Sequence, residues 1–330
     1  MFLRYFRKFK TSTPLLLSLA GMVLWADGFL WARPVQDFST PGAALLYQVV
    51  YPFAQHFPLA AMIVGLVFLV AQGIYLNHIV TSYGLIDRQN YFTAILYIVL
   101  MSSHPEMLSL HPLLFSNFFL MICLHQIFKV YAEETVLVEV FNVGMLIAVG
   151  GLFYLPALML FLLLIISLFV FYIIDLRSFL AAMLGLAAPF FFAVLYFFLT
   201  DQLPERVTSF ISGFSQVSLP DMSLSMTATM LIIFLSVISI LSFSRLAFSY
   251  IPDRPIRIRK RYWVIVHYFP VALLTVFFSQ PLRMAHLALV FIPLSVGLAA
   301  FFQQLRSRML PEAIFLLLLL IILAGKWAAL

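Results

Sequence analysis

The stretch SSHPEMLSLHP, residues 102–112, gathers His104, Glu106 and His111 around Pro105 and Pro112. Imidazole and carboxylate groups can hold zinc or move protons. A zinc site needs converging ligands, as two histidines on one helical face provide. Seven positions and a proline separate His104 from His111, so the spacing predicts no metal centre. It fits a polar hinge where the chain turns at a membrane surface, or the polar edge of a substrate cavity. Two further stretches carry charge: RPVQDFSTPGAALLYQVVYPF, with Arg33 and Asp37, and DQLPERVTSFISGFSQVSLPDMSLS, with Glu205 and Arg206. A carboxylate above an apolar platform can act as a general base, and arginine can grip phosphate with two parallel hydrogen bonds. Glu205 and Arg206 equally make a surface ion pair, an arrangement that contributes under about 1 kcal/mol.

The elements that position these groups follow from composition. Of 330 residues, 64% are hydrophobic and only 10% charged, against roughly 45–50% and about 25% in soluble domains. Lipid must therefore form part of the solvent. The single cysteine, Cys123, excludes an intramolecular disulfide and a cysteine-built zinc or iron–sulfur site. MFLRYFRKFK and the apolar run after it imitate a secretory signal. Trp25 and Trp31 stand where a small-residue cleavage site would lie, which predicts a retained first span.

A membrane span takes about 20 mainly apolar residues. Eleven runs fit: 14–32, 57–76, 91–103, 112–129, 138–153, 155–174, 178–199, 225–247, 262–279, 284–303 and 312–328. The third and fifth are short, so the expectation is nine to eleven spans. The predicted fold is an all-α polytopic bundle, a single membrane domain over 1–330. Its two larger outer-face loops, 33–56 and 200–224, carry interfacial helices, the first over Ala43–Phe53 and the second opened by Pro204 with Val207, Phe210, Ile211 and Phe214 on one face. With the N-terminus cytoplasmic, fifteen of the nineteen Lys and Arg residues fall inside. Arg33, Arg206, Arg283 and Lys326 fall outside, as the positive-inside rule requires.

The densest basic run, RPIRIRKR at 254–261, enters apolar sequence on both flanks. It predicts a cytoplasmic anchor at the anionic leaflet rather than a nucleic-acid site. No phosphate-binding glycine loop is present, which removes ATP hydrolysis and dinucleotide binding from consideration. Asp27 is expected to pair with Arg33, and Asp87 with Arg88. Lys129, Glu133, Glu134 and Glu139 are expected to be solvated, while Asn142, Gly144, Gly150 and Gly151 predict close helix packing. Polar residues gather at span ends and no internal repeat is visible, which weighs against a transporter.

The run NHIVTSYGLIDRQNYFTAILYIVLMSSHPEMLSLHPLLFSNFFLMICLHQIF, continuing to FNVGMLIAVGGLFYLPAL, resembles a family of polytopic inner-membrane proteins of Bacteroidota to which no activity is assigned. More distantly, the layout is similar to the GT-C glycosyltransferases. The likeness lies in the acid after span one, the pattern Arg88, Ala94, Pro105, Asn117 and Phe119, and a second outer loop after span seven. It places a GT-C-like module over 1–224, followed by C-terminal helices over 225–330 with a basic cytoplasmic loop at 248–261. Many GT-C members carry two adjacent acids or a longer first loop; here Asp37 stands alone. The resemblance implies sugar transfer from a polyprenyl-phosphate donor, with no cofactor or metal. Asp37 would be the catalytic base, Arg33, Arg206 and Arg283 would hold the donor phosphate, and His104, Glu106 and His111 would bind the acceptor. It also implies the bacterial inner membrane, with lipids, a lipid-linked sugar and envelope-complex subunits as partners and no nucleic acid. The competing expectations are a non-catalytic subunit or assembly factor of an envelope machine and, third, a transporter or flippase.

Overall fold

A computed structural model describes residues 3–7, 13–30, 45–86, 90–131, 136–173, 175–208, 225–278, 283–307 and 309–328. Twelve principal helices follow in order: α1 (Thr13–Leu30), α2 (Tyr47–His56), α3 (Pro58–Ser82), α4 (Phe92–Met101), α5 (Pro112–Val130), α6 (Val136–Phe153), α7 (Phe161–Phe171), α8 (Leu176–Leu199), α9 (Met226–Arg245), α10 (Ile256–Phe277), α11 (Ala288–Gln304) and α12 (Met309–Ala328). A short helical turn at 203–208 lies between α8 and α9. Among the described residues the fold is all-α, and eight helices are long and apolar enough to cross a membrane.

Local chemistry sets the helix starts. Pro58 and Pro112 occupy the first turns of α3 and α5, where a missing N–H costs little. Asp175 caps α8 by accepting the Ser178 N–H at 2.8 Å, and Ser225 caps α9 through the Ala228 N–H at 3.2 Å. The Asp175 bonds to Ser178 hold that carboxyl below the usual range. α7 ends on Tyr172, whose φ of 61° is left-handed.

Two spans differ from expectation. The fifth, α6, is a full 18-residue helix. It is the sixth that is interrupted, by a 3₁₀ segment over Leu155–Leu160 before α7. The third, α4, has only 10 residues, a rise of about 15 Å, which is half the hydrocarbon thickness. All its residues are buried, and α1, α3 and α11 enclose it. α11 is the almost wholly buried centre of the bundle. α8 lies at the edge, most of its surface exposed, and docks chiefly on α6.

That docking depends on glycine. A Cβ on Gly144 would collide with the Ala182 carbonyl oxygen of α8, and one on Gly185 with the Phe141 carbonyl oxygen of α6. The backbones touch because neither residue has a side chain, as small residues permit in lipid-embedded helices.

Side-chain contacts sort the segments into two ends. The end bearing the N-terminus holds the Leu3 N–H on the Glu312 carboxylate, both oxygens at 3.2 Å, and the Tyr91 N–H on the Phe6 carbonyl. It also holds Lys129 at 3.8 Å from Glu139. Glu139 is buried there, contrary to the expectation of a solvated acid. The opposite end joins α1 to α12 through Asp27 and Lys326. The α1 and α12 axes therefore run in the same sense.

Candidate functional site

The end opposite the N-terminus holds the described residues proposed as site residues from sequence. In the turn between α4 and α5, Glu106 follows Pro105 in a 3₁₀ segment, Pro105–Met107. His104 Nδ1 lies 3.6 Å from Glu106 Oε2 and accepts the Glu106 N–H at 3.4 Å. The two side chains are partly buried and engage each other. This segment packs against Met284–Leu287, the 3₁₀ turn that Arg283 precedes.

His111 does not sit at a wet edge. It precedes α5, is fully buried, and burial pulls its imidazole down to about 3. Burial thus keeps it neutral at physiological pH.

Arg206 lies just after α8, in the 203–208 turn. Its Nη1 donates to Gln48 Oε1 at 2.8 Å, and its guanidinium stands 5.3 Å from the Phe197 ring centroid. It thus reaches α2 rather than the adjacent Glu205, and it joins the 203–208 turn to that helix. α2 begins a few residues later than the expected 43–53. Tyr47 of α2 donates to the Leu110 carbonyl at 2.9 Å, and the Leu46 N–H bonds Leu152 O at 3.0 Å. α2, the 102–111 turn, the 203–208 turn and the Met284–Leu287 turn are thereby brought together at this end.

Arg33 and Asp37 lie outside the described residues, as do Phe210, Ile211 and Phe214, the Asp87–Arg88 pair, Glu133 and Glu134. Asp27 pairs with Lys326, and its expected partner Arg33 lies outside the described residues. The Asp27 Oδ1 is 3.0 Å from Lys326 Nζ, which also donates to the Leu24 carbonyl. Both side chains are largely buried, so the first and last helices are clamped by a charge pair.

Sequence reasoning missed two polar arrangements. Tyr154, at the end of α6, meets His286 through a 2.8 Å hydrogen bond to Nδ1, and the rings stack at 5.7 Å. The histidine three positions after Arg283 in RMAHL was the available signal. The other lies inside the bundle, within apolar helices where polar groups were not expected. Tyr97 donates to Gln72 Oε1 at 2.7 Å, while Gln72 Nε2 donates to Leu114 O at 2.8 Å. Asn117 Nδ2 reaches the Tyr97 hydroxyl at 3.1 Å and Ala288 O at 3.0 Å. The network binds α3, α4, α5 and α11 to one another. Single polar residues such as Gln72 and Asn117 inside apolar runs were its only trace in the sequence.

The family described as "Family of unknown function (DUF6427)" matches residues 41–328, and the chain belongs to it. Arg33 and Asp37 precede the matched segment. No curated protein and no solved structure matches the chain.

Proposed function

We propose that this DUF6427 family member works at the outer face of a bacterial inner membrane as a GT-C-like enzyme, moving a sugar from a polyprenyl phosphate to an acceptor. The observation that supports this reading is the joining of both outer-loop regions by the Arg206–Gln48 bond, beside a turn pair carrying His104, Glu106 and Arg283. Such an end offers cations for a lipid phosphate and polar groups for a hydroxylated acceptor at headgroup level. In the proposed step Asp37 removes the acceptor hydroxyl proton as that oxygen attacks the anomeric carbon. The bond from that carbon to the phosphate oxygen breaks, and the polyprenyl phosphate leaves with its electron pair. Arg206 and Arg283, with Arg33, stabilise the charge that develops on the phosphate. His104 and Glu106 orient the acceptor, while His111 supports the turn from within. The test is Asp37→Asn in cells and in proteoliposomes supplied with lipid-linked sugars. Loss of a general base costs about 10²–10⁴-fold; unchanged function at normal abundance would refute the assignment.

A second reading, a non-catalytic subunit or assembly factor of an envelope machine, draws on α8. Phe191, Phe192, Leu195 and Phe198 form an exposed apolar surface on a helix held chiefly by α6. Under this reading Asp37→Asn is silent, and substitutions that weaken the α6–α8 seam abolish function.

A further inference from the structure

α10 begins against the usual electrostatic order. Its first six residues, Ile256–Arg261, include Arg257, Arg259, Lys260 and Arg261, and the first turn has no acid. Cations at a helix N-terminus oppose the macrodipole, and Arg257 lies three and four positions from Lys260 and Arg261, where like charges repel. The fold partly offsets this with aromatic faces. Lys260 Nζ stands 4.7 Å from the Tyr131 ring and 4.6 Å from the Tyr172 ring, and donates to Phe171 O at 3.3 Å. Arg261 stacks 4.5 Å over Tyr83 and donates to its carbonyl at 3.1 Å. These partners are the ends of α3, α5 and α7, so the basic run is docked onto the bundle rather than only lying on a bilayer.

Among the described residues, neither Lys260 nor Arg261 meets a carboxylate at ion-pair distance, and the Arg261 Nε is buried without an acceptor. These described partners, ring quadrupoles and carbonyl dipoles, carry no formal negative charge. Tyr172 is 86% exposed, and its neighbours on that surface, Phe169 and Leu176, are exposed apolar residues. The Lys260 side of the cluster therefore borders exposed apolar surface.

We propose that Lys260 and Arg261, flanked by Tyr131, Tyr172 and Tyr83, bind the phosphodiester of an anionic phospholipid at the end of the bundle bearing the N-terminus. The site lies at the opposite end from the proposed sugar-transfer site and does not depend on it. The phosphate oxygens accept from Lys260 Nζ and the Arg261 guanidinium while the acyl chains lie along α7 and α8.

The test is native mass spectrometry of the full chain released from mild detergent, with phosphatidylglycerol or phosphatidylcholine of identical acyl chains, and separately with inorganic phosphate. Two basic groups at a membrane surface predict about a thirtyfold preference for phosphatidylglycerol. The Lys260→Gln/Arg261→Gln variant should lose that preference, while Arg245→Gln/Arg306→Gln, which removes equal charge at exposed positions, should keep it. Equal losses in both pairs would show diffuse attraction and overturn the site. Inorganic phosphate displacing the lipid at millimolar concentration would overturn the lipid assignment in favour of a soluble anion. Should the first variant not fold, Tyr172→Leu, at an exposed position, should reduce the preference several-fold; an unchanged preference would again overturn the site.

Discussion

Adding one methyl group to Gly144 or Gly185 should loosen α8, whereas the same change at Gly151 should be tolerated. At Gly144 and Gly185 the added Cβ meets backbone carbonyl oxygens of the opposing helix, and backbone cannot rotate away. At Gly151 it meets Leu158 side-chain atoms, Cδ2 and Cγ, which a change of rotamer can move, rather than backbone. Relief at the first two positions requires the helices to separate. A retreat of about 0.5–1 Å forfeits a quarter to a half of each contact's dispersion energy along the seam. Overpacking of this kind typically costs about 1–3 kcal/mol. Replacing a helical glycine by alanine returns roughly 0.5–1 kcal/mol of backbone entropy. The net expectation for Gly144→Ala or Gly185→Ala is therefore a loss of about 1–2 kcal/mol, and for Gly151→Ala a change near zero. Cys123, the only cysteine and buried in α5, provides the reporter, because a thiol-reactive dye labels it only as the bundle opens. In detergent micelles the labelling midpoint should fall by roughly 2–4 °C for Gly144→Ala and Gly185→Ala. It should hold for Gly151→Ala. A lower midpoint for Gly151→Ala than for the other two would refute the backbone-contact argument.

Lys326→Met should strand the Asp27 carboxylate and cost up to about 3–5 kcal/mol, the range for breaking a buried pair; the double variant Asp27→Leu/Lys326→Met should recover most of that loss in the same labelling assay. Asn117→Leu removes bonds to Tyr97 and to the Ala288 carbonyl, each worth about 0.6–1.7 kcal/mol within a membrane, and should lower the midpoint while leaving insertion intact. A cysteine at Glu205 should react with a membrane-impermeant reagent from outside and one at Ile258 should not; the reverse pattern would invert the topology. His111 stays neutral in the folded bundle down to about pH 3, whereas an unfolded histidine takes a proton near 6.5. Its contribution is therefore complete above that value and declines as pH falls from about 6.5 toward 3. Midpoints for the His111→Gln variant should show a shallower acid dependence than wild type.

Span positions were legible in the sequence because insertion depends on local terms. An apolar run of sufficient length partitions into lipid whatever its neighbours, and loop lysines and arginines orient it. Proline at Pro58 and Pro112 and the polar caps at Asp175 and Ser225 likewise act over a single turn. The glycines of α6 marked a packing face, although only tertiary structure showed that Gly144 meets α8 and that Gly185 completes the seam. Partners were decided by tertiary structure throughout. Asp27 is 299 residues from Lys326 in sequence, and nothing near either residue specifies that their helices lie side by side. Gln72, Tyr97 and Asn117 appear as isolated polar residues until helix rotation turns them toward one another. The same rotation seals His111 inside and lays Lys260 and Arg261 on three tyrosines. Partition into lipid is set residue by residue, whereas a buried polar or charged group is satisfied by whichever distant helix the packing brings within hydrogen-bond reach.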